Sequence, residues 1–303
     1  MVVEHHKIKA THTNLMCFQI VNDKSEAHSH IELGDMVKEL LINTLILMVV
    51  FIPLERLRPI KSDKKILRSG WQTDAVYLLA SGFVVAIGMT VIIGMGVFTI
   101  GKLVPSGFKA AIAGQPVIVQ LIEILLIADF GFYWIHRGFH AFSVLWRFHS
   151  VHHSIEQMDW LAGHRVHPLD QILTRGVSLM PISVLGFSDL SIVIFAAIYK
   201  WQSHLIHSNA DIRFGPLKWI AASPEFHHWH HSDDREAFDK NFAGQLPVFD
   251  KVFGTMHMPQ GKKPSGYGAH DPVPAGFVDQ MLYPFKGEEG GAEQSIPSHQ
   301  ETI

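Results

Sequence analysis

Along this chain long apolar runs alternate with short polar links, and the runs are too continuous for the amphipathic helices of a water-soluble domain. The first extends from Leu40 to Leu54 (LLINTLILMVVFIPL), and its flanks bring it to the roughly 20 residues that a membrane-spanning helix needs. The second covers 75–100 and carries Gly82, Gly88, Gly94 and Gly96, small residues that let another helix come close. The third covers 116–135, so that His136 emerges at its end. A fourth apolar region, 172–201, is broken by Pro181, Gly186 and the polar pair Ser188-Asp189. Each half is short for an independent crossing, which predicts a helical hairpin that enters and leaves by one face. The fold class predicted is all-α: a multi-pass transmembrane helical bundle with a cytoplasmic, histidine-rich helical cap.

Charge supplies the orientation. Arg56, Arg58, Lys61, Lys64, Lys65 and Arg68 stand against Glu55 and Asp63 between the first two runs, whereas 101–115 has only Lys102 and Lys109 as basic residues. By the positive-inside tendency the first link is cytoplasmic. Counting spans then places His136 and everything from His204 onward on the same side, in a bacterial inner membrane or the endoplasmic reticulum. Residues 1–35 read as a polar arm without a signal-peptide core, in which His5, His6, His12, His28 and His30 share no helical face. Residues 36–285 form the membrane domain, and the Gly-, Glu- and Ser-rich 286–303 read as a disordered tail.

Composition agrees, with 48% hydrophobic and 17% charged residues. A net charge of −3 offers no basic footprint for nucleic acid, and the single Cys17 allows no internal disulfide. The informative number is 21 histidines in 303 residues, against 25 lysines and arginines together. A neutral imidazole is a metal ligand. His136 and His140 (HRGFH) lie one helical turn apart on one face, and His149, His152 and His153 (HSVHH) repeat the spacing at i, i+3 and i+4. His227, His230 and His231 (HHWHH) present it again. Eight clustered ligands exceed the coordination of one ion, so two metals sharing the site are implied. His207 follows the hairpin directly and is a ninth candidate; His204 and His167 remain open between ligation and a structural role. Imidazole suits iron, copper, zinc and nickel alike. Asp129, seven residues before His136, is the candidate partner for an imidazole N–H.

At these residues the sequence resembles the fatty acid hydroxylase and sterol desaturase superfamily. The resemblance rests on DFGFYWIHRGFH at 129–140, FHSVHHS at 148–154, RVHPLD at 165–170, HSN at 207–209 and PEFHHWHH at 224–231. PLERLRP at 53–59 and DKVFGTMHMP at 250–259 extend it. It implies a four-helix transmembrane base under a cytoplasmic cap holding two iron ions, with zinc able to occupy the site in purified protein. It carries ligand roles onto His136, His140, His149, His152, His153, His207, His227, His230 and His231. The implied reaction is oxygen-dependent hydroxylation or desaturation of a fatty acyl, sterol or related membrane lipid. Its electrons come from a separate donor protein of cytochrome b5 or ferredoxin type, because the chain has no flavin, nicotinamide or haem motif. Ala141 and Asp170 replace glutamates found in some relatives, which moves the chain away from the ether-lipid-cleaving branch.

Two other classes compete. A metal transporter or storage protein should place its histidines inside the apolar runs or in flexible repeats, but here they gather just outside the runs. A catalytically silent metal-binding scaffold should have lost triplet members, and each triplet is intact.

Overall fold

The computed structural model describes residues 33–286. The predicted arm up to residue 32, with its histidines and Cys17, and the predicted tail from 287 lie outside the described residues. What is described is helical: α1 (Leu33–Leu57), α2 (Trp71–Thr99), α3 (Ser106–Ala113), α4 (Val117–Ala141), α5 (Ser143–His153), α6 (Pro168–Leu185), α7 (Asp189–His207), α8 (Pro224–His230), α9 (Val248–Val252) and α10 (Phe277–Leu282). Among the described residues two isolated bridges occur and no strand.

Three helices are long and apolar enough to cross a membrane, over Val37–Leu57, Trp71–Lys102 and Val117–Ala141. Their surfaces carry the argument further. On α1 Leu41, Leu45 and Val49 form one stripe and are 60%, 60% and 64% exposed, while Leu47 and Phe51 turn inward against Trp160. Such a stripe is costly in water and costs nothing against lipid.

The third helix outruns its predicted end at 135 and continues to Ala141, which puts His136 and His140 on its last turns. The predicted hairpin is formed by α6 and α7, but Pro181 does not interrupt it. The chain reverses only at Gly186, whose φ of 93° ends α6, and Ser188, whose hydroxyl caps α7. That turn packs on Lys109, and the Ser188 N–H donates to Gln120 Oε1 at 2.8 Å near the start of α4. Both open ends of the hairpin lie at the histidines, since a Cβ on Gly163 would meet the His207 ring. Each arm, at about 1.5 Å per residue, is therefore roughly 27 Å long and runs the depth of the bundle.

The arm α6 is wedged between α2 and α4. Of the four glycines predicted to permit close packing, Gly88 meets Ile172 and Gly96 meets Met180, while Gly82 and Gly94 have nothing within 4 Å. On the other flank Gly131 of α4 lies so close to Ser178 that an added Cβ would stand 3.2 Å from its Cα.

The basic link, read from its charge as a cytoplasmic loop, has several of its cations in buried ion pairs. Lys64 pairs with Glu55 at 3.3 Å and Asp159 at 3.5 Å, and Arg68 pairs with Asp159 at 2.7 Å and with Asp74. Arg165 closes the network on Asp74 at 2.5 Å. These side chains are buried, so the link pins the start of α2 to 159–165 at the histidine end.

Candidate metal centre

Four helices deliver imidazoles to one end of the bundle. His136 and His140 come from the end of α4, and His207 is the last residue of α7. His149, His152 and His153 come from α5. His227 and His230 belong to α8, which starts at Pro224 behind the capping hydroxyl of Ser223, and His231 closes it.

The nine imidazoles sort into two groups, each with one nitrogen per residue and those nitrogens all within 4.8 Å of one another. One holds His136, His140, His149, His153 and His230; the other holds His152, His207, His227 and His231. Each HxxHH triplet is divided between them. Its i and i+4 members stay together, because they share a helix face, and its i+3 member turns to the other group.

Outer hydrogen bonds decide which nitrogen faces inward. His136 Nδ1 donates to the Phe242 carbonyl at 2.7 Å, and His149 Nδ1 donates to Asp170 Oδ2 at 2.8 Å. Both protons are thus used outward, yet the two Nε2 atoms stand 2.9 Å apart. The same holds for His152 Nδ1 on the Arg165 carbonyl (2.9 Å) and His207 Nδ1 on the Ser203 carbonyl (2.7 Å), whose Nε2 atoms are 3.2 Å apart. Neutral imidazoles in these tautomers point lone pair at lone pair. A proton between them is opposed by burial, which holds His149, His152, His153, His227, His230 and His231 well below the usual histidine range. A shared cation resolves the conflict, and the buried His140 Nε2, which has no partner, adds a further free donor atom. The residues fit a two-metal site.

The other sequence candidates sit elsewhere. Asp129 does not accept an imidazole N–H. Its carboxylate takes the backbone N–H groups of Gly244, Gln245 and Leu246 at 2.9, 2.9 and 2.7 Å, fixing the loop that follows the Phe242 carbonyl. The carboxylates that do meet imidazoles are Asp170 and, at 3.2 Å from His140, Asp239. Asp170 lies 21 residues from His149 with no shared element. Spacing could not have revealed it, although an acid in the first turn of a helix beginning HPLD was visible. His167 lies outside both groups and caps α6, accepting the Leu169 N–H. His204 also lies outside, packed on Phe51 and His164.

Trp146 roofs the five-histidine group, its ring 5.0 Å from His140 and 5.2 Å from His153. On the bundle side a cavity of about 70 Å³ opens between α4, α6 and α7. Histidines from both groups line it, together with Phe132, Arg175 and Tyr199.

Comparison with known proteins bears on the chemistry. The fatty acid hydroxylase family model matches residues 121–255. An ornithine lipid hydroxylase of Rhizobium tropici is 32% identical over 56% of this chain and 51% of its own length. The alkylglycerol monooxygenase of Homo sapiens is 34% identical over 42% of the chain and 28% of its own. A very-long-chain aldehyde decarbonylase of Oryza sativa is 28% identical over 45% of the chain and 23% of its own. The chain thus spans about half, or less, of the curated relatives it matches. No solved structure matches.

Proposed function

We propose that this chain, whose residues 121–255 match the fatty acid hydroxylase family, is an oxygen-dependent membrane lipid hydroxylase or desaturase with a di-iron centre. The observation that carries the reading is the opposed lone pairs within each of two imidazole groups, beside a cavity lined by residues of α4, α6 and α7. His136, His140, His149, His153 and His230 hold one ion, and His152, His207, His227 and His231 the other. Bound iron supplies the capacity to activate oxygen, which zinc in the same ligands lacks. The functional unit is 36–285. A separate cytochrome b5- or ferredoxin-like protein delivers electrons.

The chain's own residues do the rest. Asp170 and the carbonyls of Phe242, Arg165, Ser203 and Lys240 hold His149, His136, His152, His207 and His230 each in one tautomer, with the inner nitrogen bare. Phe132 and Ile206 keep the lipid side of the centre apolar, and Trp146 covers its outer side. The histidine end is the cytoplasmic one, on the strength of the adjoining link that bears the exposed Arg58 and Lys65. A cysteine placed at position 65 is expected to label only from the cytoplasmic face; labelling from the other face alone overturns the orientation.

Hydroxylation consumes O2, two electrons and two protons, and yields one hydroxyl and one water. Desaturation consumes the same and yields one double bond and two waters. Iron-loaded protein reconstituted with membrane lipid, a reductase, its carrier and oxygen-18 is expected to give one product class. Labelled lipid means hydroxylation, and unlabelled lipid two hydrogens lighter means desaturation. Full turnover without oxygen sinks the proposal.

A further inference from the structure

The cavity contains a charge that the metal reading does not use. Arg175 lies two turns into α6, faces Tyr199 of α7 with its guanidinium 5.7 Å from the ring centroid, and lines the cavity that the histidines close. It also lines a smaller void deeper in the bundle, shared with Phe132, Tyr199 and Gln245. It therefore stands where the path from the histidines enters the bundle. An arginine at this depth is expensive unless it is paired or serves a function.

Its direct partner is a neutral one, the Tyr199 hydroxyl, and Asp170 acts on it only at longer range. Among the described residues no carboxylate lies within ion-pair distance of Arg175, and both nearby acids are engaged. Asp170 accepts from His149, and Asp129 accepts from three backbone N–H groups. The planar guanidinium has five donors in a fork that matches a carboxylate or phosphate.

The geometry points to Arg175 as the anchor for an oxyanion on the lipid substrate. The substrate class is then an anionic amphiphile, a fatty acid carboxylate or a phosphate-bearing lipid, rather than a neutral sterol, alcohol or wax.

This inference rests on the proposed function for its meaning, but its test does not need turnover. Full-length protein in nanodiscs of neutral lipid is titrated with oleate, oleoyl lysophosphatidic acid and oleyl alcohol, three probes with one chain and different heads. At least one anion is expected to bind about tenfold tighter than the alcohol, equivalent to about 1.4 kcal/mol, and the tighter anion identifies the source of the oxyanion. Arg175→Gln is expected to erase the preference and Arg175→Lys to keep part of it, with metal content and thermal unfolding unchanged. Equal binding of alcohol and anions by the wild type overturns the anchor, as does a preference that survives in Arg175→Gln. If Arg175→Gln does not fold, the wild-type preference and its decrease in Arg175→Lys decide. Anion binding without oxygen insertion would leave the anchor standing and remove the hydroxylase reading; the converse result would do the reverse.

Discussion

His231→Ala is expected to empty the four-histidine group while leaving the five-histidine group loaded, so purified protein should fall from about two ions per chain to about one. The asymmetry follows from ligand count. Removing His231 leaves His152, His207 and His227, whereas removing His140 leaves four imidazoles around the other position. The outer support of His140 is modest too, since its Nδ1 partner Asp239 is 52% exposed. Loss of an outer hydrogen-bond partner alone lowers metal affinity about 10- to 100-fold, and loss of a ligand should exceed that. Lipid oxidation in His231→Ala is expected below about 1% of wild type, with His140→Ala retaining more metal and more activity. Elemental analysis of both variants, purified without chelator, reads this out. The opposite order, with His140→Ala the emptier protein, would contradict the grouping.

Arg68→Ala is expected to destabilise the protein by about 3–5 kcal/mol, because it leaves Asp74 and Asp159 as buried carboxylates short of a cation. Lys65→Ala, a neighbouring exposed cation, should stay within about 0.5 kcal/mol. In detergent at fixed lipid content, the first change corresponds to a fall in unfolding temperature of roughly 10 °C. The damage should reach the metal site as well. Arg165 shares Asp74 with Arg68, and its carbonyl holds the His152 imidazole. Equal unfolding temperatures for Arg68→Ala and Lys65→Ala would show that the network contributes nothing.

The apolar spans and the histidine triplets were legible because each is a local periodic signal. An unbroken apolar run marks a bilayer crossing, and i, i+4 spacing marks a shared helix face. What was hidden depends on contacts between distant segments. Nothing in HSVHH tells that His152 parts from His149 and His153, because that depends on where α7 and α8 come to rest. Asp170 and the carbonyl acceptors belong to elements that meet only in the folded bundle. Asp129 had the right helical phase for an imidazole partner, but the loop at 244–246 reaches its carboxylate first. Arg68 looked like one more orienting charge until α2 and the cap brought Asp74 and Asp159 to it. Pro181 looked like a breaker and is accommodated, while Gly186 ends the helix.

The divided triplets make α5 and α8 behave as two struts that each carry both loads. His152 and His153 are adjacent on one strut, His230 and His231 on the other, and each adjacent pair straddles the boundary between the groups. The separation of the two ligand groups is thus a property of helical geometry rather than of loop conformation. Neither strut can rotate or slide to suit one position without moving ligands of the other.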